Sequence, residues 1–83
     1  MKTIILTHKA ARDLDKLTPE ARFTLLQALN EFAVSGRGDV KKLAGRDGFR
    51  LRVGRWRALF DDDGLTILAI YFGKRETTTY KRN

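Results

Sequence analysis

Arg50, Arg52 and Arg57 are the residues of this chain best suited to chemistry. In Phe49-Arg50-Leu51-Arg52-Val53 a period of two puts both arginines on one side of a strand, with three apolar residues on the other. Gly54 opens a short turn that returns Arg57 toward the same side. Three guanidiniums on one sheet surface suit a polyanion far better than a small neutral ligand. Gly73-Lys74-Arg75 ends a later apolar segment and adds two cations, and Tyr80 follows on a polar tail. Guanidiniums that converge on one phosphate stabilise the extra charge of a pentacoordinate transition state. An RNA strand brings its own nucleophile, the 2′-hydroxyl, so such a site needs neither a metal nor a nucleophilic side chain. A ring beside a basic groove can stack on an exposed base, worth about 1–3 kcal/mol per base. The plainer readings are a solvated basic face and a packed C-terminal tyrosine.

Other chemistries find little support. The chain has no glycine-rich loop followed by lysine and serine or threonine, and no serine–histidine–acid set with a recognisable elbow. Asp61-Asp62-Asp63 reads as a hydrated turn leading into Gly64 rather than as a metal site, which would need further oxygen ligands. His8, the single histidine, lies far in sequence from the arginines and reads as a surface residue. No cofactor and no metal are expected.

The arginines must be held by a sheet, and the chain supplies one. Thr3-Ile4-Ile5-Leu6 reads as a short first strand. Thr7 then caps a helix running to about Leu17, with Ala10, Leu14 and Leu17 on one stripe. Thr18-Pro19-Glu20 starts a second helix with a capping hydroxyl, proline at the first turn and an early acid. Its apolar side carries Ala21, Leu25, Ala28, Leu29 and Phe32, and it should stop near Gly36. Residues 36–48 hold four of the seven glycines and read as an irregular connection. Strands follow at about 48–53, 55–61 and 65–72, with turns at Gly54 and at Asp62-Asp63-Gly64. The expected fold is α+β: an N-terminal strand, an antiparallel helical hairpin, then an antiparallel sheet of three or more strands. The helices cover one sheet face and leave the arginine face open. A single domain over residues 1–83 accommodates all of this.

The bulk numbers agree. The net charge is +7, but residues 1–40 contribute +1 and residues 41–83 contribute +6. The positive field therefore belongs to the C-terminal half and favours nucleic acid or an acidic protein segment as partner. With no cysteine, neither disulfides nor thiolate metal sites contribute, and core burial must supply the stability. No stretch approaches the roughly 18 apolar residues that span a bilayer, and no secretory signal is visible. A cytoplasmic protein without membrane contact is the expectation.

Several segments together resemble the RelE/ParE superfamily of bacterial toxins, and within it the RelE-type mRNA interferases. They are Lys42-Leu43-Ala44-Gly45, the run from Gly48 through Arg50, Arg52, Trp56 and Arg57 to Phe60, and Gly73-Lys74-Arg75-Glu76 with a tyrosine after it. The resemblance covers nearly the whole chain. It implies the toxin of a type II toxin–antitoxin system, which enters the ribosome and cleaves mRNA without a metal by 2′-hydroxyl attack. Carried over by position, Arg50 and Arg52 fall where the family's ribonucleases have lysines. Arg57 falls on a phosphate-binding arginine, Arg75 on the C-terminal arginine and Tyr80 on the stacking tyrosine. Lys42, Arg46, Arg55, Lys74 and Lys81 are expected as further substrate contacts. Arginine stays protonated, so Arg50 and Arg52 do not serve as general base, and the base is unassigned. The implied partners are a cognate antitoxin, the ribosome with its mRNA and, through the antitoxin, operator DNA. Two other readings stay open: a ParE-like, non-enzymatic inhibitor of DNA gyrase, and a degenerate toxin that only binds its antitoxin.

Overall fold

The alternation that turns Arg50 and Arg52 outward also builds the sheet on which they stand. A computed structural model of the chain describes residues 1–74; Arg75, Tyr80 and Lys81 lie outside the described residues. The elements are β1 (Thr3–Leu6), α1 (His8–Asp15), α2 (Pro19–Ser35), β2 (Asp39–Lys42), β3 (Phe49–Val53), β4 (Trp56–Asp62) and β5 (Thr66–Lys74). They form an α+β fold with one five-stranded sheet in the order β1-β5-β4-β3-β2. β2 through β5 pair antiparallel, whereas β1 runs parallel to β5, so the sheet is mixed.

Both helices start where a threonine can cap them. Thr7 Oγ1 accepts from Ala10 N at 3.0 Å, and Thr18 Oγ1 accepts from Ala21 N at 3.2 Å. Each satisfies an amide that the first helical turn leaves without a partner. α1 ends at Asp15, two residues earlier than its apolar stripe suggests, with Lys16 as its C-cap. Arg22 of α2 donates to the carbonyls of Leu14 and Leu17, which ties the end of α1 to the next helix. Gly36 closes α2 at φ 78°, a left-handed conformation that glycine adopts without a steric penalty.

The core lies between the helices and one sheet face. Ala10 and Leu14 of α1 and Leu25, Leu29 and Ala33 of α2 meet Leu51, Ala58, Phe60, Ile67, Ala69 and Phe72 of the strands. Phe60 packs between Phe32 and Phe49, with ring centroids 5.5 and 5.6 Å away. The stripes on Ala10/Leu14 and Ala21/Leu25/Leu29 therefore pack as the sequence predicts.

Besides the parallel β1 and the earlier end of α1, two features depart from the sequence reading. Residues 36–48 are not wholly irregular: β2 forms inside them and pairs with β3. Its sequence Asp-Val-Lys-Lys carries one apolar residue, Val40, because an edge strand buries little. The second departure is a register shift in the β4–β5 ladder, where Leu59 pairs with Tyr71 but Phe60 pairs with Ala69. The extra residue, Ile70, makes a β-bulge and turns the end of β5 by one position. Among the described residues no strand continues the edge of β5 beyond β1, and the Asp13 carboxylate of α1 accepts the Phe72 N–H there at 3.2 Å.

The acidic turn is structural, as expected. Asp63 accepts from the Leu65 and Thr66 amides and Asp62 from the Gly64 amide, while Lys2 donates to Asp62 from β1's leading end. The Lys2 hydrogen bond, opposed by burial and aided by the Gly64 amide, holds the Asp62 carboxyl below the ordinary value of 3.8. A carboxyl depressed by folding stabilises the native state above its unfolded value, and that contribution is lost as pH falls through the folded value. We therefore expect the melting temperature to fall as pH drops from about 5 to below 3.8, and Lys2→Met to flatten that dependence. A thermal melt series against pH checks this; equal slopes for parent and variant would contradict it.

Candidate functional site

The face opposite the core carries two cross-strand rows, fixed by the register. The first runs Asp39, Arg52, Arg57 and Gly73 across β2, β3, β4 and β5. The second runs Lys41, Arg50, Leu59 and Tyr71 across the same strands. Residues opposite each other on an antiparallel pair share a face, with Cβ atoms about 4.5–5.5 Å apart. Arg50, Arg52 and Arg57 are thus neighbours on one surface, and among the described elements both helices pack on its reverse. The three guanidiniums and Lys41 make this patch cationic, with Asp39 as the acid within the two rows.

Individual side chains are held differently. Arg52 Nε donates to Asp39 Oδ2 at 3.1 Å, an ion pair open to solvent on both sides. Such a pair is worth only about 0.2–1 kcal/mol, so its effect is on geometry more than on stability. The Nε of Arg57 is buried without a hydrogen-bond partner among the described residues. Its guanidinium carbon lies 6.0 Å from the centre of the Tyr71 ring, and Lys9 Nζ lies 4.8 Å from the same ring. Lys9 also pairs with Asp13, the residue that caps the Phe72 amide.

The structure brings Arg50, Arg52 and Arg57 together and leaves several other expected contacts elsewhere. Lys42 pairs with Phe49 and Lys74 with Trp56, so both are in phase with the helix side of the sheet. Lys41 occupies the arginine face where Lys42 was expected. Arg46 lies in the exposed connection before β3. Arg55 sits in the β3–β4 turn and lines an open groove of about 770 Å³ with Thr18, Phe23 and Trp56, away from the arginine rows. This groove is therefore not where the charge is concentrated. His8 is exposed at the start of α1. Three residues of the face escaped the sequence reading: Asp39, Lys41 and Tyr71. Asp39 and Lys41 are legible only once β2 is known, since alternation then places them in phase with Arg50 and Arg52.

With the geometry in place, solved structures give the fold a family context. No protein-family model matches the sequence, and no curated protein sequence matches it. The isolated E. coli RelE toxin superimposes with a TM-score of 0.75 at 22% identity, over 94% of this chain and 88% of that one. RelE in its complex with RelB from Pyrococcus horikoshii OT3 gives 0.74 at 17% identity, over 93% and 98%. The RelBE2 toxin–antitoxin complex of Mycobacterium tuberculosis gives 0.61 at 29% identity, over 89% and 98%. The fold is that of the RelE-like toxins.

A face-specific test follows from the rows. If this face takes single-stranded RNA as its polyanion, replacing Arg50 and Arg57 with alanine should weaken that binding and lower the log–log salt slope by about 0.7 per lost phosphate contact. Replacing Lys42 and Lys74, which lie off the face, should change that slope far less. Equal effects from the two pairs, measured by fluorescence anisotropy over a salt series, would contradict a single binding face.

Proposed function

We propose that this chain is the toxin of a type II toxin–antitoxin pair and acts as a ribosome-dependent endoribonuclease on mRNA. The single observation that carries the reading is the Arg50–Arg52–Arg57 cluster, set by register on the sheet face opposite the helices of a RelE-like fold. In the reaction, the 2′-oxygen of one nucleotide attacks the adjacent phosphorus and the bond to the 5′-oxygen of the next nucleotide breaks. The 2′-hydroxyl gives up its proton and the leaving 5′-oxygen gains one, leaving a 2′,3′-cyclic phosphate and a 5′-hydroxyl. Arg52 and Arg57 supply charge to the non-bridging oxygens as the phosphorus becomes pentacoordinate. Arg50, one row away, contacts the neighbouring backbone. Arg75 is assigned to stabilising the phosphate or leaving oxygen and Tyr80 to stacking on the substrate base.

Always-protonated arginines at positions 50 and 52 accept no proton, so they act by charge and placement. Positioning and electrostatics are terms large enough to run such a reaction when a ribosome presents the message in line. The same basic face suits an acidic antitoxin segment, which would neutralise it in the resting pair. Four of the solved neighbours are toxin–antitoxin complexes, in keeping with a cognate antitoxin here. A ligand that binds only the folded toxin raises its stability by mass action, so stripping the antitoxin should lower the melting temperature.

The deciding experiment is primer extension on programmed ribosomes with the full chain. The parent should produce cuts within codons, and Arg57→Ala combined with Arg75→Ala should lower the cleavage rate by about 10²-fold or more. Cleavage by the double variant at the parental rate would overturn the site assignment. Absence of cuts by the parent, together with blocked DNA supercoiling in cells, would replace the nuclease with a gyrase poison.

A further inference from the structure

Arg52 and Arg57 are like charges directly opposite each other on adjacent strands, an arrangement that repels. A strand pair alone does not fix where two long, flexible guanidiniums come to rest. Arg52 has a tether one strand outward, where Asp39 accepts its Nε–H at 3.1 Å. That contact draws its guanidinium toward β2 and away from β4.

Among the described residues no acid pairs with Arg57, and its restraint comes from the other side. Its Nε is buried without a hydrogen-bond partner among the described residues, so only the terminal nitrogens can meet a ligand. The guanidinium carbon stands 6.0 Å from the Tyr71 ring, at the range where a cation is attracted to an aromatic quadrupole. Tyr71 is itself placed by two features of β5. The bulge at Ile70 brings it opposite Leu59, onto the arginine face. Its ring then lies along the strand over Gly73, the residue paired with Arg57. A Cβ at position 73 would fall 2.1 Å from the Tyr71 hydroxyl and 2.5 Å from Cζ, so only glycine leaves room for this orientation. Lys9, 4.8 Å from the ring, approaches from α1.

The geometry points to Tyr71 as a positioning residue for Arg57, the counterpart on β5 of Asp39 on β2. The two tethers pull the paired guanidiniums apart along one row and keep a seat between them for a single oxyanion. The tether is a property of the free chain. Its consequence for cleavage rests on the nuclease reading above, and the test separates the two.

Three variants of the full chain decide it: Tyr71→Phe, Tyr71→Leu and Gly73→Ala, the last keeping the ring but displacing it. The first readout is the NMR signal of the Arg57 Nε–H, which we expect to carry a ring-current shift in the parent. We expect Tyr71→Phe to keep that shift, and Tyr71→Leu and Gly73→Ala to lose it. The second readout is single-turnover cleavage on programmed ribosomes. Tyr71→Phe should stay within about twofold of the parent, while the other two fall about tenfold at saturation with half-saturation little changed. Circular dichroism melts accompany each variant; if Tyr71→Leu loosens the sheet, Gly73→Ala decides alone. Retention of the shift without the aromatic ring, or with the ring displaced, would overturn the tether. A loss of rate in Tyr71→Phe equal to that in Tyr71→Leu would assign the effect to the hydroxyl and overturn it as well. If the parent cuts nothing, the NMR arm still decides the tether and the failure belongs to the nuclease reading.

Discussion

The register of the β3–β4 hairpin is the constraint on which everything else in this molecule depends. Leu51, Ala58 and Phe60 are buried against Leu25 and Leu29, and a slip of one residue would expose all three to water. Burying side chains of this size contributes about 1.5–3 kcal/mol each, so the hydrophobic face locks the ladder. Arg50, Arg52 and Arg57 have no say in the matter. They are carried to the opposite face by the same alternation, and the repulsion between Arg52 and Arg57 is small beside the core that enforces it. A cationic cluster unfavourable in isolation is held in place by apolar residues on the other side of the sheet.

Such an arrangement is suited to an anionic ligand. Charge that has already been brought together need not be gathered when a phosphate arrives, which is the physical content of preorganisation. The restraints on the two central guanidiniums differ in kind. A carboxylate on an edge strand holds Arg52, and packing beside an aromatic ring holds Arg57. The helices act on the site indirectly. α1 seals the open edge of β5 through Asp13 and sets Lys9 beside Tyr71, whereas α2 secures the core under β3 and β4.

Much of this was legible in the residues, and the remainder was not, for physical reasons. Caps at Thr7 and Thr18, the turns at Gly54 and Gly64 and the in–out pattern of β3 rest on local rules, and the structure has them all. β2 gave no signal because an edge strand with one apolar residue looks like a charged connection. The bulge in β5 was hidden because Leu65 to Phe72 is apolar on both sides, so its phase cannot be read from periodicity. Tyr71 therefore reads as one more apolar residue of a central strand, and without a register nothing in the residues tells which of Lys41 and Lys42 shares the arginine face. Arg75 and Tyr80, prominent in the sequence reading, lie outside the described residues.

The account stands on two strands delivering their arginines to the same phosphodiester. The most direct measurement is a cryo-EM structure of the full chain on a programmed ribosome whose A-site codon carries 2′-deoxy substitutions that block cleavage. The account predicts one message phosphate within hydrogen-bond reach of both Arg52 and Arg57, on the face opposite the helices. Arg52 and Arg57 bound to separate phosphates, or turned to ribosomal RNA while the message lies against another surface, would contradict it.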